Sequence, residues 1–141
     1  ARNQIKATVL EEVDRGAALT GPEIEDAEAK RSRLFARLAD FMRRYEYLVL
    51  PVTQVPAFGV DTEYVREIDG VKMDSYIDWM RSCWYITITT LPCISVPGGF
   101  TSDGLPVGIQ IVGRHHADFA VLQLAHAFQK AAPANKRPAL G

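Results

Sequence analysis

The stretch Leu91-Pro92-Cys93-Ile94-Ser95-Val96-Pro97-Gly98-Gly99-Phe100, continued by Thr101-Ser102-Asp103-Gly104-Leu105-Pro106 and Val107-Gly108-Ile109-Gln110-Ile111-Val112-Gly113, decides the fold. Its two apolar, β-branched runs flank a glycine-containing turn, a pattern that predicts two strands joined by a short connection. Gly98, Gly99, Gly108 and Gly113 leave backbone uncovered by side chains, which marks tight turns or the close approach of another segment or ligand. Downstream, Asp118 is expected to cap a closing helix that buries Val121, Leu122, Leu124, Ala125 and Phe128. Residues 133–141 carry no periodicity and read as a loosely ordered tail behind a domain that occupies 1–132.

Working upstream, Tyr47-Leu48-Val49-Leu50 is a short apolar run stopped by Pro51, the pattern of a strand buried on both faces in a parallel or mixed sheet. The two prolines of Pro51-Val52-Thr53-Gln54-Val55-Pro56-Ala57 predict an extended loop leaving the carboxyl end of that strand. In open α/β sheets ligands bind along that edge. Asp69-Gly70, between Tyr64-Val65-Arg66-Glu67-Ile68 and Val71-Lys72-Met73, predicts a small type I′ hairpin. A helix capped by Asp74 and carrying Tyr76, Ile77, Met80 and Trp84 on one face is expected to fade by about Thr87, where a β-branched run begins to disfavour it.

The amino-terminal third is helical in pattern. One helix is expected to run from Gln4 to about Arg15, with Gly16 as its left-handed stop. Thr20-Gly21-Pro22-Glu23 reads as a capping box opening a second helix, whose stripe includes Ile24, Ala27, Leu34, Leu38, Phe41 and Tyr45. Acidic residues lead that helix and Arg43 and Arg44 close it, as the helix dipole favours. Its charge-rich face reads as solvated surface. The chain opens on Ala1 already inside a helical pattern, which fits a processed or truncated polypeptide.

Composition narrows the function classes. A hydrophobic fraction of 48% over 141 residues suffices for a core, which argues against disorder. Sixteen basic against seventeen acidic residues give a net charge of −1, so nothing favours nucleic acid as a partner. There is no signal pattern and no apolar run near the roughly 20 residues that span a bilayer, so no membrane is expected and a cytoplasmic location is. Cys83 and Cys93 lack CxxC spacing and sit in apolar stretches, which reads as structural and suits a reducing compartment.

Several catalytic classes lack their residues here. No GxSxG elbow is present, and none of Ser32, Ser75, Ser82, Ser95 or Ser102 is followed by lysine in SxxK spacing. The lysines fall on expected helix surfaces, the hairpin or the tail. GxGxxG and GK[ST] phosphate loops are missing. His115-His116 and His126 form no metal-ligand spacing, so no metal and no cofactor are expected, and the histidines read as surface residues. Neither cysteine has a base beside it in sequence to make it a nucleophile. Phe58, Trp79, Trp84 and Tyr85 either fill the core or line an aryl pocket, and core packing is the expected role. What remains is an α/β domain with a ligand-facing edge and no catalytic centre of its own.

The runs from Leu91 to Gly99 and from Gly104 to Gly113 closely resemble the carboxyl-terminal half of the amidase signature family. Arg15-Gly16, the charged helix over 27–45 and Leu48-Val49-Leu50-Pro51-Val52-Thr53 match that family's order upstream, so the resemblance covers the chain to about Ala131. It implies an α/β fold, part of a mixed β-sheet flanked by helices, in an enzyme that hydrolyses or transfers amides through a Ser, cis-Ser, Lys triad. The triad belongs to the family's amino-terminal portion, so no catalytic residue is assigned in this chain. In such a mechanism the nucleophilic serine attacks the carbonyl, the lysine relays a proton through the second serine, and backbone amides hold the oxyanion. This half is expected to supply pocket wall, with Thr53, Gln54, Thr87 and Thr90 as candidate substrate-binding residues. The family often has Asn and Gly shortly before the Pro-Ala-Ile-Ser strand, where this chain has Thr87 and Thr90. The expected partners are a small-molecule amide, the missing amino-terminal portion and, through uncovered strand edges and apolar surface, a second copy of the chain. The alternative is a stand-alone module that binds a carboxamide or a partner protein without chemistry.

Overall fold

A computed structural model describes residues 4–134. Its elements are α1 (Ala7–Ala17), α2 (Gly21–Arg44), β1 (Tyr47–Pro51), β2 (Glu67–Ile68), β3 (Val71–Lys72), α3 (Tyr76–Trp79), α4 (Arg81–Thr87), β4 (Cys93–Phe100), β5 (Pro106–Gly113) and α5 (Asp118–Ala131). The expected tail lies almost wholly outside the described residues.

Strands β4 and β5 form the predicted hairpin and pair antiparallel from Cys93↔Val112 to Phe100↔Pro106, with a bulge between Pro97 and Gly99. Gly104, at φ 84°, makes the turn, and the Thr101 hydroxyl accepts from the Leu105 amide at 3.0 Å. β1 then adds to the far side of β5, giving the order β1-β5-β4. That pairing is also antiparallel, from Tyr47↔Gly113 to Pro51↔Ile109, so every strand pair among the described residues is antiparallel. β1 is therefore an edge strand here rather than a strand buried on both faces, and Val49 is 51% exposed. Among the described residues β1 pairs on one side only, with β5, while α5 lies over β4 and β5 and takes a bond from the Tyr47 hydroxyl of β1 to the Ala120 carbonyl at 3.1 Å.

Side chains alternate across a strand, so the sheet has two different faces. On one, Val96 and Ile111 pack against Val121 and Ala125 of α5, with Tyr47, Ile94 and Ile109 around them. On the other, Leu48, Leu50 and Val112 meet Met42 and Phe41 of α2 together with Ile86 and Leu91. Val112 is fully buried. At the end of β5, Gly113 allows α5 to close in: a Cβ there would stand 2.4 Å from Cγ2 of Val121. Arg114 reaches back to the end of α2, donating to the Met42 carbonyl at 2.7 Å and the Tyr45 carbonyl at 3.4 Å, which satisfies acceptors that the helix leaves open.

The Glu23 carboxylate accepts from the Thr20 amide at 2.8 Å, as a capping box requires, and α2 starts there. Asp69 and Gly70 take φ of 49° and 74° in the β2–β3 turn, the two left-handed residues that the Asp-Gly pair predicts. Gly16, in contrast, lies inside α1, which ends at Ala17 through Ala18 N–H and Leu19 N–H donating to the Arg15 and Gly16 carbonyls and needs no left-handed stop. The helix expected from Asp74 is two short helices broken at Met80, and its cap is Ser75, whose amide donates to the Asp78 carboxylate at 3.0 Å. Its end at Thr87 falls where expected. Asp118 is the first residue of α5 rather than its cap, and serves the helix dipole from that first turn. α1 has no buried residue, and its Val9 and Val13 are half exposed. No described helix is long and apolar enough to cross a membrane.

Candidate functional site

The loop leaving β1 is held from two sides. Val52 N–H donates to the Gly108 carbonyl at 3.2 Å, while the Val52 carbonyl accepts from the Ser82 hydroxyl at 2.7 Å and the Cys83 thiol at 3.1 Å. The buried Gln110, central in β5, donates through Nε2 to the Pro51 carbonyl at 3.1 Å and the Ser82 carbonyl at 2.8 Å. A polar side chain in mid-sheet thus ties the strand exit to the first turn of α4. Beyond it, Gln54 donates to the carbonyls of Asp78 (2.9 Å) and Trp79, which ties the loop to the end of α3.

These ties frame a cleft of about 290 Å³ whose floor is Gly108 and Ser95 on the sheet and whose walls include Thr53, Val55, Phe58 and Trp79. The floor exists because the α4-facing positions of β4 and β5 carry small residues here. A Cβ on Gly108 would come within 3.0 Å of Cγ2 of Val52 and 3.4 Å of Oγ of Ser95. Among the described residues no charged side chain lines this cleft. Phe58 and Trp79 meet edge to face with ring centroids 5.3 Å apart, and Tyr76 meets Trp79 in the same way at 6.0 Å. Trp79 Nε1 is buried with no hydrogen-bond partner among the described residues. Trp84 and Tyr85 pair with each other, 4.4 Å apart, and do not line the cleft.

The four predicted site residues do not converge. Thr53 lines the cleft, its hydroxyl donating to the Val55 carbonyl at 2.8 Å. Gln54 is engaged with backbone carbonyls behind the wall. Thr87 is exposed at the end of α4, where its hydroxyl donates to the Cys83 carbonyl at 3.3 Å. Thr90 borders a different cleft, of about 220 Å³, with Arg31, Ser32 and Phe35, and its backbone is left-handed at φ 57°. Ser95 is a floor residue that the sequence did not single out, Gly108 was marked only as uncovered backbone, and Trp79, expected to fill the core rather than line an aryl pocket, stands in the cleft wall with Phe58.

Electrostatics near the cleft centre on Asp78. The Arg81 guanidinium bonded to it at 2.7 Å holds its carboxyl below the usual range, with the Ser75 hydroxyl and amide adding to the shift and partial desolvation opposing it. Arg81 is correspondingly raised by Asp78. Among the described residues no group of three or more His, Cys, Asp or Glu is placed to hold a metal ion. His115 and His116 are exposed, as expected of surface residues; their rings are tilted with centroids 3.8 Å apart, and His115 also meets Phe35 of α2 edge to face. Cys83 is partly buried, whereas Cys93, although set in an apolar stretch, is exposed on the edge strand β4.

Comparison with known proteins fits this arrangement. The family profile described as Amidase matches residues 2–122. An acylamidase of Rhodococcus erythropolis is 32% identical over 98% of this chain and 29% of its own length. A fatty acid amide hydrolase of Arabidopsis thaliana is 32% identical over 81% of the chain and 19% of its own. The crystal structure of a bacterial aryl acylamidase superposes with a TM-score of 0.81 at 27% identity, over 94% of this chain and 27% of that one. The chain thus spans less than a third of the length of each relative. With the hairpin of β4 and β5, the helix order and the profile match in agreement, the chain belongs to the amidase signature family.

Proposed function

We propose that residues 1–132 form the carboxyl-terminal part of an amidase that cleaves carbon–nitrogen amide bonds of small molecules, and that they contribute pocket wall rather than reacting groups. The observation that carries this reading is the family match over 2–122, combined with a cleft at the exit of β1 that offers shape and hydroxyls but no base. The acylamidase and amide hydrolase relatives, matched over less than a third of their length, support amide chemistry for the assembled protein. The serine nucleophile, the second serine and the lysine belong, in this reading, to polypeptide that precedes this region. Among the four candidate residues, Thr53 faces substrate from the cleft wall, and Gln54 acts by holding that wall. Thr87 and Thr90 shape the approach to β4 from outside the cleft.

The test is to read the coding sequence upstream of Ala1 and express the whole reading frame. A Gly/Ser-rich segment with a preceding lysine is expected there, and the expressed protein should hydrolyse simple amides, losing activity when that lysine or either serine is replaced. Steady amide hydrolysis by the 141-residue chain alone, surviving replacement of its serines one at a time, would refute both the division of labour and the serine mechanism.

A further inference from the structure

We infer that the cleft between the β1 exit loop and Trp79 is a subsite for a neutral aryl group of the substrate, a reading that rests on the amidase assignment and adds the substrate class to it. Four observations support it. The cleft, at about 290 Å³, sits at the lower edge of ligand-pocket sizes, enough for a ring and its immediate linkage rather than a large molecule. Its lining holds no charge, and its only side-chain hydroxyls are those of Thr53 and Ser95, so a charged substituent would lose hydration there without a counter-charge. Phe58 is more than a third exposed and presents its ring beside Trp79, and aromatic rings favour edge-to-face or offset partners at the spacing those two already show. The floor is open only because Gly108 and Ser95 are small; larger residues at these positions would fill the cleft.

The aromatic wall is fixed from behind. Trp79 has no hydrogen bond from its indole, so its ring is placed by packing against Phe58 and Tyr76 and by the Gln54 amide gripping the Asp78 and Trp79 carbonyls. Gln54 is thus a positioning residue for Trp79. The Ser75–Asp78–Arg81 network holds the same turn from the solvent side.

The experiment uses the full-length enzyme that carries this chain and compares an aryl amide, 2-phenylacetamide, with an aliphatic one, butyramide. Trp79→Ala and Gly108→Val are expected to lower the aryl-to-aliphatic ratio of kcat/KM about tenfold, a loss of about 1.4 kcal/mol in selective binding. Trp79→Phe should keep most of the ratio. Gln54→Leu should raise KM for 2-phenylacetamide several-fold with little change in kcat, a split that general loss of folding would not produce. Binding of 2-phenylacetamide, followed by ligand-observed NMR, gives a readout independent of turnover and should weaken in Trp79→Ala and Gly108→Val. An unchanged ratio and unchanged binding in those two variants, both shown folded by circular dichroism, would overturn the aryl subsite while leaving the amidase reading standing. A wild-type enzyme that binds 2-phenylacetamide through Trp79 but hydrolyses neither amide would overturn the amidase reading and leave the subsite standing.

Discussion

Thr90 occupies a backbone position suited to glycine, and replacing it should make the protein more stable. Its φ of 57° is left-handed, a region that β-branched residues rarely adopt because Cβ crowds the following carbonyl. Such a residue holds about 1–3 kcal/mol of strain. Thr90→Gly removes that strain and adds about 0.5–1 kcal/mol of unfolded-chain entropy. The side chain is exposed, so no buried contact is lost, and the amide can still donate to the Thr87 carbonyl at 3.3 Å. The net gain is about 1 kcal/mol, or a Tm rise of about 3–5 °C for a chain of this size. Thermal unfolding followed by circular dichroism, with Thr90→Asn expected between wild type and Thr90→Gly, is the measurement. A Thr90→Gly protein less stable than wild type would refute the strain argument.

Other outcomes follow from the same physics. Gln110→Leu preserves bulk but leaves the Pro51 and Ser82 carbonyls without their donor, and should cost about 2–4 kcal/mol in urea denaturation; a loss under about 1 kcal/mol would show water replacing the amide. The Asp78 carboxyl is depressed in the folded state, so its stabilising effect is present above the ordinary carboxylate pKa of about 3.9 and is lost as pH falls through the lower folded value. The gap in urea midpoint between wild type and Asp78→Asn should therefore be steady from pH 7 to pH 5 and narrow as pH falls below the ordinary carboxylate value of about 3.9; a gap that persists in strong acid would mean that the amide disturbs packing instead. Of the two thiols, Cys93 should react with a maleimide well before Cys83, whose Sγ is engaged with the Val52 carbonyl, as mass spectrometry of partly labelled protein can show.

What could be read from sequence was what neighbours in sequence determine. The alternation around Ile94 and Ile109, the Thr20–Glu23 box and the Asp69-Gly70 turn each bring their own short-range physics, and each formed as expected. The apolar run at Leu48 was identified as a strand, but its partner and direction depend on β5, far along the chain, and apolar content does not encode antiparallel pairing. Gln54 is, locally, a polar residue in a loop at the sheet's ligand-facing edge. Its bonds to Asp78 and Trp79 carbonyls arise only once α3 folds back over that loop, so a positioning role was invisible locally. The same holds for Gln110, which looks like an interruption in an apolar strand until the carbonyls of Pro51 and Ser82 are seen beside it.

The order β1-β5-β4 also sets a timetable. β4 and β5 are separated by one short turn and can pair as soon as both exist, whereas Tyr47 must wait for Gly113 and Pro51 for Ile109. During synthesis at roughly 5–20 residues per second, about 60 residues pass between them, so Leu48-Val49-Leu50 spends several seconds as an unpaired apolar ribbon. During that interval the β1 segment is open to capture by chaperones or by another ribbon of its own kind, and slowing translation between Pro51 and Ile109 would lengthen the interval in direct proportion.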